Sequence, residues 1–584
     1  PNIFVGRSYI HKLFKNTETN FSARGVAGYD VNKQPTKGGT GGAKGLGRME
    51  VNTFLAHNAR NFLRDAFTTK SEQSEEFWKA FEHGLPLPKA KTPFVTEKLL
   101  AMLGGAGIAT KRDGSLLRLS PMRDQDVRAM SAGALTPPSL EHSTSFLVSA
   151  KDLKPEKGGL FDPALTGGVS GTKWSHIELP ERTLQPTFFD AARVVLGVTA
   201  ADLHKKIAEG GGEAVAKALD EKSVAERLTE LRRDNATLRG ASLDKNVKAI
   251  KYLEALKSQG ITHASEAYTA KTIAVIPPVM RPILPSRGAG DLQVADSNYL
   301  YRDVALAAKS LESAHSTGSP TLIGEARKHL YDAHAALAGV GEPVSPQLQG
   351  RDVKGFIQTI TGSGSPKTGF LFNKVIKRQH DLTGRATATP DATLGLDQIG
   401  VPEDILWTTY GKFVMKGLIA QGYPPVQARE LLDKRSPLAK AVLDRELTER
   451  PVYVNRAPSL HKHNMVAAYP VSVAGTNLRV NPFMEKGMNL DYDGDTMQVH
   501  VPLSDAAKHE AKQLTMKQLL FSDRTREDLL VFPQHEAIIG AYLATHRPAA
   551  GAVKKFATKA DAMAAYRRGE ITLSTPVEIA GAPS

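Results

Sequence analysis

Three aspartates at alternate positions, Asp491, Asp493 and Asp495, dominate the stretch NLDYDGDTMQVHV at residues 489–501. In an extended or tightly turned backbone, alternate side chains point the same way, so three carboxylates converge on one point. Three like charges that close repel one another unless a cation neutralises them, and ligands that are all oxygen favour Mg2+ or Mn2+. No His or Cys joins the converging groups, which argues against zinc. The alternative is a solvated Asp–Gly turn. An EF-hand calcium loop fails, because it needs Gly at its sixth position and Glu at its twelfth; counted from Asp491 these are Thr496 and Pro502. The apolar, strand-like run that follows the aspartates fixes the loop on a rigid β scaffold, which metal geometry requires.

The chain around this loop has 584 residues, enough for roughly three to five domains of ordinary size. Apolar residues make up 41% and charged residues 23%, the balance of a folded protein rather than a disordered tail. The 75 Lys and Arg exceed the 61 Asp and Glu, giving +14. A surface biased that way attracts polyanions such as nucleic acid, although ribosome-binding and membrane-surface proteins carry the same excess. The absence of cysteine excludes disulfides, thiolate zinc sites and cysteine nucleophiles. No stretch approaches the ~20 apolar residues of a membrane helix, and the N-terminus has no apolar signal core, so a soluble protein that is not exported is expected. Residue 1 is Pro, which fits loss of an initiator Met, processing, or a start inside a longer chain.

A Gly-rich, Lys-bearing loop at residues 35–47, PTKGGTGGAKGLG, precedes a helical pattern at 49–67. The loop is either a phosphate cradle or an ordinary turn, and it lacks the Gly-Lys-Ser/Thr ending of a nucleotide P-loop. Residues 118–145 are polar and mixed, with Pro137 and Pro138, and predict a domain junction. Residues 187–260 read as helices punctuated by Gly210, Gly211 and Gly212, and a Pro-rich turn follows at 276–285. Two helical arms at 298–314 and 322–337 predict an antiparallel hairpin. After residue 369 short β-prone runs at 452–454, 471–473, 478–480 and 498–501 suit a compact barrel better than a parallel sheet with crossover helices.

The segment NLDYDGDTMQVHVPL is similar to the signature of beta-prime, a large subunit of the cellular-type multisubunit RNA polymerases, in which the three Asp of NADFDGD hold the catalytic magnesium. Upstream, VNRAPSLHKHNMVAAYPV at 454–471 resembles that subunit's NRAPTLHR segment at a matching spacing. LKPEKGGLFDP and WSHIELP resemble the beginning of beta-prime, IPPVMRPILP and ADSNYLYRDV its next blocks, and HDLTGRATATPDATLGLDQIGVP its switch region. QPTKGGTGGAKGLGRMEVNTFLAHNARNFLRDAFTTKS resembles the C-terminal clamp segment of the beta subunit. One chain thus resembles the end of beta fused to the first part of beta-prime, over most of residues 8–580. The resemblance implies an α+β multidomain fold with helical clamp modules and a double-psi β-barrel carrying the metal-binding loop. It assigns 1–110 to a beta-like clamp segment, 111–150 to a linker, 151–295 to a beta-prime-like clamp, 296–345 to the helical hairpin (the clamp coiled coil), 346–395 to a switch and lid-like region, 396–520 to the barrel, and 521–584 to the start of the following region.

Departures from the family pattern are informative as well. Where the family places a four-cysteine zinc ribbon, this chain has only DPALTGGVSGTK, so no zinc is expected. ALAAKSLES replaces the Arg-rich arm of the sigma-binding coiled coil, which implies a non-standard initiation factor. Gly369 and Leu371 stand where the family has arginines. The beta barrel lysines, the bridge helix and the trigger loop fall outside residues 1–584 in the family order, so partner subunits are expected to supply them and the chain alone to be inactive. This arrangement, together with the cysteine loss, resembles polymerases of large bacteriophages, and implies a location in host cytoplasm or virion.

The implied reaction is nucleotide transfer from NTPs to an RNA 3′ end with a DNA template, by a two-metal scheme. Asp491, Asp493 and Asp495 hold the first Mg2+ and share the second. Arg456 contacts the incoming nucleotide or its ribose, or else forms a salt bridge inside the barrel, and Asn489 recognises a ribose hydroxyl. Lys374, Lys377, Arg378 and Arg385, and also Lys44 and Arg48, grip template or hybrid phosphates, or form a solvated basic face. His461 and His463 read as a polar turn before a metal pair. Rival readings are an RNA-templated polymerase of the same barrel type and a non-catalytic nucleic-acid-binding scaffold. No membrane partner is expected.

Overall fold

The computed structural model describes residues 6, 17–135, 157–285, 292–520, 536–546 and 553–580. The expected segments at 136–150 and 521–535 lie outside the described residues. Two compact units divide the chain: residues 1–93 together with 377–584, and residues 94–376.

In the first unit the β-prone texture becomes a closed barrel. Its strands, with two flanking pairs, are β1 (Ser22–Arg24), β2 (Lys44–Leu46), β3 (Arg378–His380), β4 (Thr383–Pro390), β5 (Gln398–Pro402), β6 (Val452–Arg456), β7 (Met465–Val473), β8 (Leu478–Val480) and β9 (Thr496–His500). Six of them run in the order β4-β8-β5-β7-β6-β9, and β9 pairs back to β4, so the sheet closes on itself. The β4–β8 and β5–β7 pairs are parallel, while the β8–β5, β7–β6, β6–β9 and β9–β4 pairs are antiparallel. β1 adds to β4 from outside and β2 pairs with β3.

Period-2 alternation builds this core. Ala386 and Ala388, Ile399 and Val401, Val452 and Val454, Val466 and Ala468, Leu478 and Val480, and Met497 and Val499 are buried in one apolar cluster. Each buried Val or Leu there contributes about 1.5–3 kcal/mol by removal from water. The helices α1 (Arg48–Ala56), α2 (Arg60–Phe67), α3 (Glu75–Glu82), α4 (Glu403–Ala420), α5 (Pro425–Asp433), α6 (Pro437–Glu449), α7 (Glu485–Met488) and α8 (Asp505–Lys512) surround the barrel. The alternate residues Tyr453, Met465 and Ala467 turn outward into a second cluster with Phe54 and Phe62 from α1 and α2 and with Ala507 and Ala511 from α8. Phe62 and Tyr453 have ring centroids 4.6 Å apart.

Polar bonds pin the N-terminal segment to the barrel. Arg24 Nε donates to Asp381 Oδ1 at 2.7 Å and Tyr29 to Asp381 Oδ2 at 2.8 Å. Glu510 on α8 accepts the backbone N–H groups of Asn61 and Phe62, both at 2.9 Å, satisfying donors that the first turn of α2 leaves free. Asp65 accepts from the Ser504 N–H at 3.0 Å.

The helical pattern expected over 49–67 is two helices. The chain breaks between α1 and α2 at Asn58, whose φ of 59° is left-handed, and this turn keeps both Phe54 and Phe62 on the barrel.

The second unit packs helices on a three-stranded sheet, Ser131–Ala134, Trp174–Leu184 and Thr269–Val275. The expected hairpin is present as Asp296–Thr317 and Pro320–Ala338, joined through left-handed Gly318. The predicted punctuation at Gly210 to Gly212 is present: Gly211, at φ 63° and ψ −163°, leaves the helical conformation and divides Ala200–Leu219 into two helices across a kink. A Cβ at Gly212 would lie 2.3 Å from the Arg182 carbonyl oxygen, so these glycines let the helix lie directly on the strand. Residues 111–135, expected to begin a linker, instead carry the end of the hairpin Ile108–Asp113/Leu116–Pro121, the helix Asp124–Met130 and a sheet strand. Met122 and Val127 are buried there in an apolar cluster with Ala274. The second unit begins at residue 94. Among the described residues, no helix is long and apolar enough to cross a membrane.

Candidate metal centre

The aspartate loop hangs between α7 and β9. Asn489 ends α7 in a left-handed conformation (φ 49°, ψ 47°), and buried Leu490 anchors the turn. Gly494 has φ 124°, a conformation open to glycine and hard for other residues, and it lets the chain fold back so that Asp495 rejoins Asp491. The next residues enter β9, where Met497 is fully buried.

This geometry brings the three carboxylates together: one oxygen from each of Asp491, Asp493 and Asp495 lies within 4.8 Å of the others. Among the described residues no other group of three His, Cys, Asp or Glu converges in this way. Asp493 is exposed, while Asp491 and Asp495 are half-buried.

The β6–β9 register, with Arg456 opposite Met497, swings the Arg456 side chain onto the loop. Its Nε donates to Asp495 Oδ2 at 2.5 Å and its Nη2 to Asp495 Oδ1 at 3.2 Å, a bidentate pair. The Asp491 backbone N–H reaches Asp495 Oδ2 at 3.3 Å. Arg456 thus forms a salt bridge with Asp495 of the loop.

The charges are incompletely balanced. A hydrogen bond shared with Asp493 holds the Asp491 carboxyl below the usual carboxylate range, helped by Arg456 and opposed by burial. The same hydrogen bond and the charge of Asp491 push Asp493 up, with burial and Asp495 adding to the effect. One guanidinium does not balance three carboxylates. Asp491 Oδ1 is buried and accepts no hydrogen bond. An orphaned acceptor beside hard oxygen donors fits a divalent cation of the Mg2+ or Mn2+ type.

The basic residues singled out from sequence divide. Arg385 on β4 donates from Nε and Nη2 to Thr496 Oγ1 at 2.9 and 2.8 Å, and so stands beside the residue that follows Asp495. Half-buried Lys44 lies near it; burial, then the charge of Arg385, lowers its pKa to about 8. Arg48 is exposed at the start of α1, and Lys377 is exposed just before β3. Lys374 belongs to the second unit, in the short helical segment Leu371–Ile376. Arg378 is buried. It is only 3% exposed, its guanidinium lies 5.6 Å from the Phe67 ring centroid, and burial lowers its pKa to about 10. It packs in the unit's interior. Asn489 is exposed at the end of α7.

His461 and His463 form a turn, with His461 Nδ1 accepting the His463 N–H at 3.2 Å. Burial, with Lys462, His57 and His461 nearby, lowers His463 to about 4.

Sequence reading passed over the polar residues beneath the site. His500 on β9 meets His380 Nε2 at 3.1 Å and Asn455 Oδ1 at 3.2 Å. Lys70 Nζ donates to the Val501 carbonyl at 2.6 Å. His500 and Asn455 sit in the segments that carry the aspartates and Arg456, whereas His380 and Lys70 lie far from them in sequence and carry no local signal.

Comparison with known proteins matches this part of the chain. A family model described as RNA polymerase Rpb1, domain 2, matches residues 425–517. The chain is 30% identical over 379 residues to the DNA-directed RNA polymerase subunit beta' of Exiguobacterium sibiricum, covering 64% of this chain and 31% of that protein. It is 31% identical over 385 residues to the subunit beta' of Deinococcus radiodurans, 64% of this chain and 24% of that protein. The match to the subunit beta' of Limosilactobacillus fermentum is 27% over 545 residues, 79% of this chain and 43% of that protein. The chain therefore spans less than half the length of these curated relatives.

Proposed function

We propose that this chain is a catalytic subunit of a multisubunit DNA-dependent RNA polymerase, one that adds nucleotides to an RNA 3′ end. The observation that carries the reading is the meeting of Asp491, Asp493 and Asp495 within 4.8 Å on a barrel loop, inside the region matched by the Rpb1 domain 2 model.

Asp491, Asp493 and Asp495 would hold Mg2+, which when bound acidifies the RNA 3′-hydroxyl and neutralises phosphate charge. The chain's own residues do the positioning. Asp491 and Asp493 set the point at which the 3′ end is held. The fixed β9 strand keeps that point stationary during addition. Arg456 lies within reach of a ribose or phosphate at the same point, and exposed Asn489 is available to a ribose hydroxyl. Arg385, Lys44, Arg48, Lys377 and Lys374 are assigned to backbone phosphates of template or hybrid, an attraction that weakens as salt rises.

On this reading the closed six-stranded barrel is of the double-psi type, the second unit contains the clamp modules, and the chain joins beta-like to beta-prime-like sequence in the manner of large phage polymerases. Partner subunits supply the rest of the active site, with a non-standard initiation factor, and the enzyme works in the cytoplasm or a virion. The test is RNA synthesis by the assembled enzyme. Asp493→Ala should lower elongation about 100- to 1,000-fold, an order typical of losing a principal charge-stabilising group (about 2.7–4 kcal/mol), while assembly is retained. Wild-type elongation rates from that variant would refute the assignment. Challenge with duplex DNA, single-stranded DNA and RNA templates separates it from an RNA-copying enzyme.

A further inference from the structure

Arg456 takes up both oxygens of Asp495. Oδ2 receives the Arg456 Nε and the Asp491 N–H, and Oδ1 receives the Arg456 Nη2. The pair is partly shielded, with the Arg456 side chain 20% and the Asp495 side chain 17% exposed. By contrast, Asp491 Oδ1 is buried without a partner and Asp493 faces solvent. The site thus has two carboxylates ready for a cation and a third already neutralised by a guanidinium.

We infer that Arg456 is a stand-in counter-ion that competes with the divalent cation for Asp495, and that cation binding releases its guanidinium toward the substrate. This rests on the proposed polymerase reading and adds a regulation to it: the nucleotide contact becomes available only after the metal has arrived. The physical reason is charge. With the guanidinium in place, Asp495 offers a cation only the lone pairs that Arg456 and Asp491 leave over. Once a divalent ion takes up the Asp495 oxygens within the 4.8 Å cluster, the lone pairs that hold the guanidinium are engaged, and the ion and the guanidinium are like charges competing for the same carboxylate. Arg456 sits at the end of β6, held by its backbone register with Met497, so the side chain can swing while its Cα stays fixed. The free arginine and the loaded site are therefore two states of one switch, and each ligand biases it.

Two measurements on the full chain test this, with Mn2+ as the probe. Free Mn2+ is followed by electron paramagnetic resonance during titration of wild type, Arg456→Gln, Arg456→Lys and Asp493→Asn. Arg456→Gln should bind Mn2+ about tenfold more tightly than wild type, within the usual range of coupling between sites. Arg456→Lys, which cannot make the bidentate pair, should fall between them. Asp493→Asn should lose the site. The second measurement needs no arginine variant: phenylglyoxal labelling of Arg456, read by mass spectrometry, should rise when Mg2+ is added to wild type and stay low in Asp493→Asn. Equal or weaker Mn2+ binding by Arg456→Gln, or Arg456 labelling that does not rise while Asp493-dependent binding is seen, overturns the switch and leaves the polymerase reading standing. Mn2+ binding that is indifferent to Asp493 overturns both.

Discussion

Lys70 is wholly enclosed, with its Nζ on the Val501 carbonyl and 5.2 Å from the Phe62 ring centroid. Burial lowers its pKa to about 7, and Asp65 and Asp381 only partly offset this. The unfolded chain holds that proton up to about pH 10.4. Between the two values the unfolded state binds more protons than the folded one, so stability rises with pH there and is lost as pH falls toward 7. Urea unfolding from pH 7.5 to 9.5 should therefore show a positive slope of stability with pH that shrinks in Lys70→Met; equal slopes would mean that Lys70 is not buried as an amine. Lys70 illustrates what single residues conceal. In FTTKSEQ it reads as any surface lysine, and its environment is made by β9, which lies more than 400 residues away in the chain. The aspartates were legible for the opposite reason: their spacing and Gly494 fix their convergence locally. Arg378 shows the same limit, since nothing beside it in sequence reveals that Phe67 covers it.

At the scale of elements, the apolar strands announced themselves and the small-residue ones did not. β6 and β8 match runs of Val and Leu, whereas β4, TGRATATP, alternates Gly and Ala with Thr and carries little hydrophobic signal. It is nevertheless the strand that closes the barrel, and its small residues have a reason. A Cβ on Gly384 would lie 2.6 Å from Ile405 Cγ2 on α4. Gly384→Ala should therefore destabilise the protein by about 1–3 kcal/mol through overpacking, read as a lower urea midpoint. Ile405→Val should recover part of that loss in the double variant, because the two sites are in contact. An unchanged midpoint in Gly384→Ala would show that α4 yields freely. The three helices between β5 and β6 escaped the sequence reading as well, because attention to the barrel pattern passed over the α-helical periodicity of 403–449.

The whole molecule is organised by a discontinuity in sequence. Residues 94–376 form one continuous unit with its own apolar clusters, while the other unit is assembled from two separated stretches. The end of this unit, at residue 376, lies close to the change of texture after residue 369, which follows the Gly-, Ser- and Pro-bearing stretch TGSGSPKTG. Residues 94–376 produced alone should give a cooperative thermal transition and dispersed amide resonances; a non-cooperative melt would show that the unit depends on the rest of the chain.

The barrel unit also has a consequence for how its pieces find each other. Residues 17–93 meet the later stretch through Arg24 and Asp381, through Glu510 at the head of α2, and through Phe54 and Phe62 on Tyr453. These contacts have the chemistry of a subunit interface, an apolar centre with satisfied polar groups at its margin. Covalent continuity turns that docking into an intramolecular event, independent of protein concentration and free of the entropy of bringing two bodies together. A nick in the intervening stretch would therefore leave two polypeptides clasped as a heterodimer, with the acidic loop still seated on an unbroken barrel.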